Sequence, residues 1–211
     1  MSRGFSKPFG ILDGMIVAAA KPAEQTDTRE AILTIAERLV QARGFNGFSY
    51  ADVAAELGIT KAALHYHFAG KAELGEALIS RYGARFADAL AAIEAAHESA
   101  FDRIVAYTRI YASVLDQQRM CLCGMLAAEY HTLPEGMRRA VVEFFNANQA
   151  WLRRLLEDGQ AAGTIRFAGS PEDAAQMIVG TLEGAMLVAR PYADTSRFQR
   201  VVDQLLRELR P

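Results

Sequence analysis

His65, Tyr66 and His67 stand together in "HYHF", with Lys61, Ala62 and Ala63 one turn earlier and Lys71 shortly after. Two imidazoles and a phenol beside two cations suit metal ligation, or contact with the phosphates, sugars and base edges of a nucleic acid, or simple decoration of a helix surface. Metal ligation fits poorly. Residues two apart on a helix diverge, and no Cys, Asp or further His stands close in sequence to complete a tetrahedral set. Neither a metal nor a cofactor is expected.

Two other groups carry possible chemistry. Cys121 and Cys123 lie one residue apart, a spacing at which side chains on a helix point away from each other, so a disulfide is not expected. Arg119 beside Cys121 is a reason to expect a lowered thiol pKa, hence an electrophile or oxidant sensor; simple burial of both thiols is the competing reading. Glu129, His131 and Glu183 offer an acid and base set. No nucleophile elbow, phosphate-cradling glycine loop or metal-ligand spacing accompanies them, so the chain is not expected to be an enzyme.

The elements that must position these groups read as helices throughout. The chain has 211 residues, 51% of them hydrophobic and 23% charged, enough to bury a core. No run approaches the length of a membrane span. The N-terminal "ILDGMIVAAAK" is broken by Asp13 and lacks a cleavage pattern, so a cytoplasmic chain without membrane contact is expected. Net charge is −2, and residues 1–74 carry eight basic and eight acidic side chains, so any nucleic-acid reading rests on geometry and not on bulk charge.

Residues 1–26 show no apolar periodicity and read as a flexible arm. A helix is predicted from Thr26 or Asp27, with Ile32, Ile35, Ala36, Leu39 and Val40 on one stripe; Gly44 ends it, and Phe45 and Phe48 plug the core. Ser49 caps a second helix with Val53, Ala54 and Leu57 facing inward. Gly58 turns the chain, Thr60 caps a third helix, and Leu64 and Phe68 bury its inner side. Lys61, Ala62, Ala63, His65, Tyr66 and His67 are left outside, where small residues permit close approach and rings can meet a thymine methyl, sugar or phosphate. Lys71 then places a cation and helix-start amides where a phosphate could rest.

"TREAILTIAERLVQARGF", "SYADVAAELGITKAALHYHF" and "GKAEL" occur in this order. Arg29 to Leu74 thereby resembles the DNA-binding domain of the TetR family of bacterial repressors. The resemblance implies an all-α protein: a three-helix, helix-turn-helix head at 27–74, whose third helix enters the major groove, and a helical effector-binding and dimerising domain at 75–211. Arg29, Ser49, Tyr50, Thr60, Lys61, Ala62, Ala63, His65, Tyr66, His67 and Lys71 form the expected DNA-contact set. His65 stands where the family usually has tyrosine, which points to a pH-sensitive phosphate contact, since histidine titrates near neutrality.

Beyond the head, helical patterns run over roughly 72–96, 99–117, 120–131, 134–162, 171–190 and 196–210. The last two carry broad apolar stripes. Ile178, Leu182, Gly184, Ala185 and Met186, with Phe198, Val202 and Leu205, are the expected dimer interface, and "GTLEGAMLVAR" resembles the family's dimer helix. Two heads on a two-fold dimer would face half-sites of a palindromic operator on double-stranded DNA, about 34 to 36 Å or more apart. Tyr107, Tyr111, Cys121, Met125, Glu129, Phe144, Phe145, Asn148, Trp151 and Met177 combine rings, sulfur and a few polar groups, and form the expected pocket for a small-molecule effector. Besides a thiol sensor, a helical interaction module that keeps the helix-turn-helix for packing alone stands as an alternative.

Overall fold

The computed structural model describes residues 22–211, with side chains from Asp27 onward; residues 1–21 of the expected arm lie outside the described residues. Helix α1 spans Pro22–Arg43, starting before the Thr26 or Asp27 cap that the sequence suggests. Proline is accepted in a first turn and Ala, Glu and Gln are strong helix formers, so the helix extends backward through them. Ile32, Leu33, Ala36, Leu39 and Val40 are buried, whereas Ile35 is half-buried. At Gly44 the backbone takes φ +83°, a conformation that costs a β-carbon dearly, and the chain leaves the helix.

Phe45 and Phe48 then insert edge to face with centroids 6.0 Å apart. Helix α2 (Tyr50–Leu57) follows, with Val53 and Ala54 buried. Asp52 accepts hydrogen bonds from both the backbone N–H and the hydroxyl of Ser49, at 2.7 and 2.6 Å. Gly58, at φ +67°, donates its N–H to α2 carbonyls and turns the chain into α3 (Lys61–His67). α2 packs on both α1 and α3, and α1 in turn packs on α4 (Lys71–Ala96), which runs from the head into the second half.

That half comprises α5 (Ala100–Asp116), α6 (Leu122–Ala128), α7 (Glu135–Ala161), α8 (Pro171–Ala189) and α9 (Thr195–Glu208), with 3-10 turns at Tyr130–Thr132 and Arg190–Tyr192. The described residues are all helix and loop, as expected. α8 lies between α7 and α9, and α4 packs along α7. The helix expected over 120–131 is shorter. At its start the Met120 N–H bonds the Gln41 carbonyl of α1 at 3.1 Å. At its end Glu129 turns to the head and Leu133 is extended ahead of Pro134, as residues before proline tend to be.

Candidate functional site

The outward edge of α3 is built by what α3 buries. Thr60 Oγ1 accepts the Ala63 N–H at 3.1 Å, fixing the first turn, and Leu64 and Phe68 are fully buried. Those anchors leave Lys61, Ala62, His65 and Tyr66 exposed, with Ala63 and His67 half-buried. Tyr66 is 72% exposed, its ring edge-on to His67 at 5.4 Å. The structure thus brings these six predicted residues to one edge. Arg29 is exposed on α1, its guanidinium 4.8 Å from the Phe68 ring centroid.

Other predicted contacts are turned to local work. The Tyr50 hydroxyl donates to the Phe68 carbonyl at 3.1 Å, locking α2 to the end of α3; burial, then the Glu73 carboxylate, push this phenol up to about 12. Its ring lies 4.8 Å from that of His65, whose Nδ1 bonds the Ala69 carbonyl at 3.2 Å. His65 therefore keeps Nε2 for any outside partner. Ser49 is exposed but spends its hydroxyl on Asp52.

Lys71 corrects the sequence reading. Its ammonium points inward and donates to the carbonyls of Phe45 and Phe48 while lying 4.6 and 4.3 Å from their ring centroids. Desolvation lowers its pKa. The cation holds the α1–α2 loop and is not presented to a phosphate.

Several bonds tie the head to the second half. The Glu129 carboxylate accepts the N–H groups of Phe45, at 2.5 Å, and Asn46, at 3.2 Å. Asn46 Nδ2 donates to Thr132 Oγ1 at 2.7 Å. Arg190 donates to the Ala42 carbonyl near the α1 terminus and approaches Met125 Sδ at 3.5 Å. Glu129 and Met125, expected in the effector pocket, stand at this junction, because α6 packs on α1 and its C-terminal end overlies the α1–α2 loop.

The aromatic residues do converge. Tyr107 and Tyr111 share a 2.9 Å hydroxyl contact; Tyr107 donates to Asn148 Oδ1 at 2.9 Å, and Asn148 Nδ2 donates to Tyr111 at 3.2 Å. All three are buried, and burial raises both phenols. Trp151 stacks on Tyr107 at 5.6 Å and donates Nε1–H to Glu94 at 2.6 Å. Between α4 and α7 a cleft of about 380 Å³ is lined by Phe86, Leu90, Phe144, Asn148, Trp151 and Arg154, among others. Phe144, Asn148 and Trp151 thus line a cavity, while Tyr107 and Tyr111 stand behind it and Phe145 packs half-buried against the core. Met177 does not belong there: it is 49% exposed on the outer side of α8. Sequence reading missed Tyr82, Phe86 and Glu94, all on α4. The spacing of Tyr82, Phe86, Leu90 and Ile93 along one face was the available signal.

Both thiols are buried and their pKa values are raised, by burial first and then by the Glu183 carboxylate. The lowering expected from Arg119 does not occur, because the neighbour of Cys121 is an acid and not the guanidinium. Tyr82 donates to Cys121 Sγ at 3.7 Å. Glu183 is itself pushed up to about 7 by burial, and its Oε1 is buried without a hydrogen-bond partner.

The expected dimer residues also need correction. Ile178, Leu182, Met186, Phe198 and Val202 are buried in their own chain, where α8 is enclosed by α7 and α9, whereas Ala185 and Leu205 are mostly buried but line the groove on the open side. Gly184 of that set is exposed. The uncovered face carries Met177, Gly180, Gly184, Leu187, at 57% exposure, and Val188, at 61%, with Val201 on α9. A groove of about 720 Å³ between these helices includes Met177, Thr181, Val188, Val201 and Gln204. α8 is apolar on two sides, and most of the stripe read from the sequence lies on the inner one.

Known proteins share both halves. Residues 32–78 match the family model described as bacterial regulatory proteins, tetR family, and residues 100–205 match that of the tetracyclin repressor-like C-terminal domain. The chain is 30% identical over 171 residues to the HTH-type transcriptional repressor NemR of Escherichia coli K12, covering 78% of this chain and 84% of that protein. It is 29% identical over 180 residues to the repressor BepR of Brucella suis, covering 77% and 80%. A TetR-family regulator from Agrobacterium tumefaciens superposes with a TM-score of 0.86 at 29% identity, over 89% of this chain and all of that one. With a matching head, a matching C-terminal domain and these relatives, the chain belongs to the TetR family of bacterial transcriptional regulators.

Proposed function

We propose that this DNA-binding repressor acts as a two-fold dimer on a palindromic operator and is released when a small molecule occupies its C-terminal half. The edge of α3 carries the reading: Lys61, Ala62, His65 and Tyr66 face outward on a helix fixed by Thr60, Leu64 and Phe68. A short helix held this firmly can enter a major groove with small residues against the backbone and rings against base edges. Arg29 and Lys61 supply few phosphate-neutralising charges, so a shallow salt dependence is expected, of order one logarithmic unit per contact. The second copy sits on the uncovered α8 and α9 face, where Gly180 and Gly184 admit close helix crossing. Release follows if the effector favours a conformation whose heads are wrongly spaced, by the difference in its affinity for the two states.

A gel shift and footprint on DNA flanking the chain's own gene tests the reading. Protection of a two-fold site is expected. Tyr66→Ala should weaken that complex about tenfold while leaving random DNA nearly unaffected. No retardation at any salt concentration would instead favour a helical interaction module.

A further inference from the structure

A second cleft, separate from the one beside Trp151, opens where the head meets the C-terminal half. It measures about 240 Å³ and lies among α1, α4 and α5. Tyr82, Phe86 and Val114 give it apolar walls; Gln41, Arg85 and Arg119 give it donors. Arg119 is half-buried and has no carboxylate within ion-pair distance among the described residues. Arg85 is held only loosely, at 3.3 Å from Glu37, and Glu37 already has a 2.8 Å bond from Arg81. Gln41 is 3% exposed and lines the cleft, and its backbone carbonyl accepts from the Met120 N–H. Arg81 also bonds Glu30 at 3.0 Å, so Arg81 and Arg85 together balance Glu30 and Glu37, and Arg119 is the lining cation left without a carboxylate among the described residues.

We propose that this cleft binds a small organic carboxylate, with Arg119 and Arg85 holding the anion, Gln41 donating to it, and its apolar body against Tyr82, Phe86 and Val114. Planar, always-charged guanidinium groups suit a carboxylate, and a partly desolvated arginine gains most from one. The position gives such a ligand leverage. Gln41 belongs to the head, and the Met120 N–H that bonds its carbonyl follows Arg119 directly, so drawing Arg119 into the cleft pulls on the α1 contact. The consequence for DNA rests on the repressor reading; the binding itself does not.

The test is isothermal titration of the full chain with benzoate, phenylacetate and hexanoate, each against its neutral amide. Acids bind, and the amides bind at least tenfold more weakly. Arg119→Gln weakens the acids at least tenfold while its ligand-free melting curve matches the parent chain. Ser113→Trp, which fills the cleft from an exposed position, abolishes binding and serves if the arginine variant does not fold. Equal binding of acid and amide, no binding of any acid at millimolar concentration, or binding that survives both variants overturns the proposal. Operator gel shifts on the same preparations separate the two readings. Arg119-dependent acid binding without DNA retardation keeps this site and removes the repressor; retardation without acid binding does the reverse.

Discussion

Glu129 accepts the backbone N–H of Phe45 at 2.5 Å, so a carboxylate at the end of α6 caps the loop that orients the DNA-binding head. Gly44 makes this approach possible, since a β-carbon there would stand 2.7 Å from Glu129 Oε1. Two orphan amides of that loop, from Phe45 and Asn46, find their acceptor in the other half of the chain.

Glu129→Ala should therefore destabilise the chain by about 1 to 3 kcal/mol, the cost of leaving partly buried donors unpaired. It should also loosen the head relative to the C-terminal half. Urea denaturation measures the first effect and amide exchange at Phe45 and Asn46 the second; unchanged protection there would contradict the cap.

Lys71 separates two roles that a cation near DNA can play. If its ammonium holds the Phe45 and Phe48 carbonyls, Lys71→Met lowers stability by about 1.5 to 3 kcal/mol and leaves the salt slope of operator binding unchanged. A phosphate contact would instead show as a slope reduced by about one with little change in melting.

Glu183 gives a pH signature. Its carboxyl is raised from the ordinary range to about 7, so between about pH 4.5 and 7 the folded chain holds a proton that the unfolded chain has released. Stability from this group is present below that window and is lost as pH rises through it, up to about 3 kcal/mol. Glu183→Gln should consequently raise the melting temperature at pH 8 far more than at pH 5. Equal shifts at both values would count against an ionising buried acid.

The outer face of α8 should decide the oligomeric state. Leu187→Glu combined with Val188→Glu changes two side chains that are mostly exposed in the single chain. Light scattering should find the parent chain as the proposed dimer and the double variant as a folded monomer, with operator affinity falling by at least tenfold as the two heads lose their linkage.

The head was legible because its signals are local. Gly58, Thr60, Leu64 and Phe68 each specify a turn, a cap or an anchor within a few residues, and the structure places them accordingly. What failed depended on where a side chain goes after the helices assemble. Lys71 could be read as a cation but not as one folded back over Phe45 and Phe48 from 26 and 23 residues away. Arg119 is near Cys121 in sequence, yet its guanidinium lines a cleft while the thiol meets Glu183 from α8. The two apolar sides of α8 share one helical period, and only the placement of α7 and α9 tells the enclosed side from the open one.

Trp151 is the single tryptophan of the chain, stacked on Tyr107 and bonded to Glu94 at the wall of the α4–α7 cleft. The protein thus carries a built-in optical reporter: an occupant of that cleft alters the indole's surroundings and hence its emission colour. A compound that releases DNA without touching the emission would be acting from somewhere else in the molecule.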